Sequence, residues 1–201
     1  VTESDESRIL TIPNLVTCIR LACLPLYLVL LFGHDDRAGA AALLAVLGAT
    51  DWVDGYIARR FHQVSNLGKI LDPVADRLLF FVGVGGMMLI DPPGAPLWFC
   101  WAVIGREIFV SVAVLVLAAL GAKRIDVTWV GKAGTFGLMF AFPLLLAGSS
   151  SISSAPIFRA LGWMAGIPGL VLAYIAAVRY VPIGLTALRD GRAARSRTAA
   201  G

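Results

Sequence analysis

The chain has 201 residues, 58% of them apolar and 15% charged, with a mean hydropathy of +0.81. Soluble chains carry about 25% charged residues, so a soluble globular domain is excluded. An all-α integral membrane protein is expected, one domain over residues 1–201. The formal net charge of +4 does not imply nucleic acid as a partner, because the excess lies in short loops and the C-terminal tail.

Six apolar segments follow one another. The first runs from about Ile12 to Phe32 and opens with Ile12-Pro13-Asn14, a helix-start pattern in which proline's missing N–H costs nothing. The second covers about Ala38 to Phe61, and the third runs from Gly68 to about Ile90, stopped by Asp91-Pro92-Pro93-Gly94. The fourth spans about Leu97 to Gly121 and the fifth about Val127 to Gly148. The sixth spans about Ile157 to Leu188, interrupted by Pro168 and Pro182. Cys18, Cys23 and Cys100 fall inside apolar runs without metal-ligand spacing and read as packing residues. The N-terminal VTESDES is acidic where a secretory signal would be basic.

Basic residues set the orientation. Arg59, Arg60, Lys69, Lys123, Arg124 and the tail arginines 189, 192, 195 and 197 all fall on one side. The other side receives Asp35, Asp36, Arg37, Asp91 and the uncharged serine turn at 149–154. Six transmembrane helices with both termini cytoplasmic are expected, with tails at about 1–11 and 189–201.

Four aspartates stand out in this apolar setting. Asp51 and Asp54 are three apart, and Asp72 and Asp76 are four apart, so each pair lies on one helical face. An unpaired Asp at a membrane helix centre costs roughly 2.5–3.5 kcal/mol, so four would cost about 10–14 kcal/mol. A whole domain is stable by only about 5–15 kcal/mol. The carboxylates must therefore reach the water interface, meet cations, or both. Oxygen-only ligands suit Mg²⁺, Mn²⁺ or Ca²⁺. At ~1.5 Å per residue, Asp51 and Asp76 lie at similar depth below a cytoplasmic opening.

Written with its gaps, the stretch is D-x-x-D-G-x-x-A-R, eight residues, then G-x-x-x-D-x-x-x-D. This resembles the signature of the CDP-alcohol phosphotransferase family, matching at Asp51, Asp54, Gly55, Ala58, Arg59, Gly68, Asp72 and Asp76. The resemblance implies two divalent cations, Mg²⁺ or Mn²⁺, held by Asp51, Asp54, Asp72 and Asp76. It implies a CDP moiety lying against Gly55, Ala58, Arg59 and Gly68, and Asp76 as general base. Bare backbone at the glycines would let the nucleotide approach, and the planar Arg59 guanidinium suits phosphate. It further implies CDP-diacylglycerol as donor, a homodimer in the lipid bilayer of the cell membrane, and an active site facing the cytoplasm.

Ile12-Pro13-Asn14, Thr17, Arg20, Arg106-Glu107 and Trp129-Val130-Gly131-Lys132 are similar to the bacterial phosphatidylglycerophosphate synthase branch. Arg106 and Lys132 are then candidates for holding an acceptor phosphate. The alternative for Arg106 is an intramembrane ion pair, and for Lys132 a snorkelling side chain. Many synthases of that branch carry a second lysine where this chain has Gly134. These features keep glycerol 3-phosphate narrowly ahead as acceptor. Phosphatidylglycerol, the acceptor of a cardiolipin synthase, is the alternative, and a cation transporter is a distant one.

Overall fold

The computed structural model describes residues 12–61, 68–120 and 128–199. For 12–15, 51–61, 68–73, 118, 181, 183, 185 and 187–199 it describes the backbone alone. All regular structure among the described residues is helical. Helix α1 (Ile12–Leu28) runs into a π-helical turn, Val29–Gly33, and is followed by α2 (Arg37–Phe61), α3 (Gly68–Leu89), α4 (Leu97–Ala119), α5 (Trp129–Gly148) and α6 (Ala155–Ala199). The six expected segments are all present. The largest difference is at the end, where the α6 backbone stays helical through Pro168 and Pro182 as far as Ala199.

Four stretches among the described residues are long and apolar enough to cross a membrane: Val16–Gly33, Leu97–Leu117, Trp129–Gly148 and Ala155–Tyr180. The chain is a multi-pass membrane protein. In α2, which runs to Phe61, the apolar stretch found among the described residues is Arg37–Thr50.

The helix ends follow local chemistry. Asp36 caps α2 by accepting the Gly39 N–H at 2.8 Å, and Thr128 caps α5 by accepting the Gly131 N–H at 3.2 Å, each satisfying an orphan donor of the first turn. After α3, Pro92 and Pro93 cannot extend a helix, and the Gly94 N–H turns back to the Met87 carbonyl at 2.9 Å.

The chain packs as two compact units. The first is Val1–Pro96 with Phe140–Gly162, where α1 packs against both α2 and α3. The buried stripe of α1 is Thr17, Arg20, Leu24 and Tyr27, continued by Leu31 of the π-helical turn, the three-and-four spacing of one helical face. The Tyr27 hydroxyl donates to the Gly83 carbonyl of α3 at 2.8 Å. Gly86 makes room for that ring, since a Cβ there would stand 3.1 Å from the Tyr27 Oη and 3.0 Å from Leu31.

Arg37 ties the loops of this unit together. It donates to the carbonyls of Asp91 at 2.7 Å, Pro92 at 3.0 Å and Ser149 at 3.5 Å, and to the Asp35 carboxylate at 3.3 Å. A lone arginine among acidic and neutral loops, unexplained by charge asymmetry, thus has a structural reason. It neutralises carbonyls that the turns leave without helical partners.

The second unit is Leu97–Met139 with Trp163–Gly201. Helices α5 and α6 meet here through small residues. A Cβ at Gly134 would lie 2.6 Å from the Ala173 N, and one at Gly137 3.1 Å from the Gly169 Cα. Such backbone contact is the usual basis of close packing between membrane helices, where no hydrophobic effect draws them together. Trp163 stacks on Trp98 with ring centroids 6.1 Å apart and meets the edge of Phe99 at 5.2 Å.

Candidate active site

The aspartate stretch occupies the last turns of α2 and the first turns of α3, with Gly68 opening α3. Its backbone is helical on both sides of residues 62–67, so Asp51 and Asp54 share one face, as do Asp72 and Asp76. The side chains of Asp51, Asp54, Ala58, Arg59 and Asp72, and the surroundings of Gly55 and Gly68, lie outside the described residues. No group of three or more metal-ligating side chains occurs among the described residues.

Asp76 is described. It follows the buried Ala75, and its side chain is 49% exposed, a carboxylate at the edge of the packed helices. Its Oδ1 accepts a hydrogen bond from the Arg20 guanidinium at 3.1 Å. Arg20 comes from the buried stripe of α1 and is only 2% exposed. A charged acceptor and a charged donor at this distance form one of the stronger classes of hydrogen bond. The sequence allowed Arg20 and Asn14 to approach the site from the first helix; Arg20 does reach Asp76, and the Asn14 side chain lies outside the described residues. The signal for the position of Arg20 was a lone cation on the face of α1 that otherwise carries Thr17, Leu24 and Tyr27.

Arg106 and Lys132 belong to the second unit. Arg106 lies near the middle of the Leu97–Leu117 stretch and is 7% exposed. Its Nη1 donates to Glu107 Oε2 at 2.7 Å, and its Nε to the Ala173 carbonyl of α6 at 3.3 Å. The intramembrane ion pair weighed as one reading of Arg106 is therefore what this unit contains. Lys132 is exposed in the first turn of α5, just past the Thr128 cap. Two places on, Gly134 is pressed against the backbone of α6, so a lysine has no room there.

The sequence profile described as CDP-alcohol phosphatidyltransferase matches residues 10–174, which takes in the aspartate stretch, Arg20, Arg106 and Lys132. The chain belongs to the CDP-alcohol phosphatidyltransferase family. It is similar to a CMP-forming cardiolipin synthase of Streptomyces coelicolor, 40% identical over 185 residues, which are 90% of this chain and 85% of the relative. It is also similar to a putative cardiolipin synthase of Mycobacterium tuberculosis, 34% identical over 163 residues, 79% of this chain and 75% of the relative. A CDP-diacylglycerol–glycerol-3-phosphate 3-phosphatidyltransferase of Bacillus subtilis is 33% identical over 149 residues, 67% of this chain and 76% of the relative.

This phosphatidyltransferase is thus an enzyme carried on membrane helices, and the family read from the aspartate motif is the one it belongs to. The motif was legible because its residues sit at fixed short spacings. The packing of Gly134 against Ala173 was not, since no local pattern links positions 39 residues apart.

Proposed function

We propose that this phosphatidyltransferase moves the phosphatidyl group of CDP-diacylglycerol to the free hydroxyl of phosphatidylglycerol, giving cardiolipin and CMP. The observation that carries the acceptor is the 40% identity over 90% of the chain to a CMP-forming cardiolipin synthase. The packed Gly134 supports it, because the site of a second lysine, useful for a phosphate dianion, is filled by helix backbone. This reverses the order of acceptors favoured by sequence alone. Glycerol 3-phosphate stays as the second reading, on the Bacillus subtilis relative and on Arg106, Glu107 and Lys132.

Asp51, Asp54, Asp72 and Asp76 offer the all-oxygen, anionic donor set that Mg²⁺ or Mn²⁺ prefers. The helical backbone on both sides and the half-exposed Asp76 are in keeping with two ions held there. When bound, such ions supply charge neutralisation to the pyrophosphate and to the departing CMP. Arg59 binds phosphate oxygens of the donor, while Gly55, Ala58 and Gly68 let the cytidine nucleotide lie against helix backbone. The Asp76 carboxylate takes the proton of the acceptor hydroxyl. The acceptor oxygen forms its bond to the phosphatidyl phosphorus, the P–O bond to CMP breaks, and CMP leaves with that electron pair. We take the six helices as six crossings of the cell membrane; the placement of lysines and arginines along the sequence supports cytoplasmic termini and an active site open to the cytoplasm, and the resemblance to the family supports a homodimer.

The test offers purified protein CDP-diacylglycerol and Mg²⁺ with either acceptor and follows CMP and lipid product. Cardiolipin is expected. Phosphatidylglycerophosphate alone would establish the second reading, and metal flux without lipid product would overturn both.

A further inference from the structure

We infer that Arg20 is a positioning residue for Asp76, an inference that rests on the phosphatidyltransferase reading with Asp76 as proton acceptor. A guanidinium inside a membrane-crossing stretch is costly unless matched by an anion. Arg20 lies inside Val16–Gly33 and on the buried stripe of α1, yet it is retained there and reaches the Asp76 Oδ1. The ion pair is one-sided. Arg20 is 2% exposed and Asp76 49% exposed, so the cation holds the carboxylate from the packed side while the carboxylate faces outward.

The fold aims Arg20. The pairs Arg20–Asp76 and Tyr27–Gly83 are each separated by 56 residues, so α1 and α3 advance in step, and the second bond fixes their register two turns further on. Arg20 is therefore delivered to Asp76 by two rigid helices. A planar guanidinium on Oδ1 then restricts rotation of the carboxylate. Fixed geometry matters because a misplacement of about 1 Å can cost about 100-fold in rate.

The test measures CMP release, substrate binding and unfolding temperature for the full chain in lipid nanodiscs, with Arg20→Gln and Arg20→Lys. In Arg20→Gln, kcat is expected to fall about 100-fold, while KM and calorimetric binding of CDP-diacylglycerol stay within about threefold. Arg20→Lys, with its charge but no fork, is expected to recover about tenfold of that loss. An unchanged kcat in Arg20→Gln overturns the inference. So does a loss of kcat matched by an equal loss of binding and thermal stability that lysine does not repair, which is the mark of a purely structural residue. If Arg20→Gln does not fold, Arg20→Lys decides: wild-type kcat refutes positioning, and reduced kcat at unchanged KM supports it. A wild-type protein releasing no CMP with either acceptor would instead fail the reading on which the inference stands.

Discussion

Replacing Gly134 by alanine adds one methyl group where α5 meets α6. That Cβ would stand 2.6 Å from the Ala173 N, 3.0 Å from the Ala173 Cα and 3.0 Å from the Gly169 carbonyl oxygen. Comfortable heavy-atom contacts lie at about 3.5–4.0 Å, so the helices must separate locally by about 1 Å. All three obstacles are backbone, which cannot rotate away as a side chain could. Overpacking costs about 1–3 kcal/mol, and the upper end applies here. Alanine's better helix propensity returns about 1 kcal/mol, leaving a net loss of about 2 kcal/mol. The shift also strains the 3.3 Å bond from Arg106 to the Ala173 carbonyl. Gly105→Ala is the control, because a Cβ there meets nothing within 4 Å and Gly105 is exposed on α4; propensity alone should stabilise it by up to about 1 kcal/mol. Denaturant or thermal unfolding in one detergent compares the two. Equal stability of the two variants would refute the argument that backbone contact at Gly134 is what excludes a side chain.

Arg37→Ala removes charged donors from the Asp91 and Pro92 carbonyls. At about 1.5–3 kcal/mol per such bond, unfolding should ease by about 3 kcal/mol, with CMP release per folded molecule unchanged; an unaltered unfolding temperature would contradict the loop-tying role. Tyr27→Phe deletes the bond to Gly83 and should cost about 0.6–1 kcal/mol, read from the same unfolding curves. Arg106→Met alone takes from Glu107 the guanidinium at 2.7 Å within the span and should cost about 3–5 kcal/mol, whereas joining it to Glu107→Gln should recover most of that. A double variant no more stable than the single one would show the pair is not the dominant partnership. Asp76→Asn should abolish CMP release and also lower the unfolding temperature, because it removes the carboxylate charge facing the buried Arg20; residual turnover near the wild-type rate would remove Asp76 as the proton acceptor.

The sequence by itself determined the helical segments and the family. Each of these rests on neighbours in the chain: apolar runs, the Asp91-Pro92-Pro93-Gly94 stop, and aspartates at spacings of three and four. Such features are written in local backbone and solvation chemistry, so they can be read without the fold. For Asp51, Asp54 and Asp72 the candidate site still rests on that motif, while Asp76 has a described partner. Only the tertiary structure decided what Arg20, Arg37, Arg106 and Gly134 do. Arg20 meets Asp76 across 56 residues, Arg37 reaches Ser149 across 112, and Arg106 reaches Ala173 across 67. A cation in a membrane chain needs an anion or a carbonyl, but the sequence does not say which. That choice belongs to helix register, and register is set by the packing of side chains far apart in the chain.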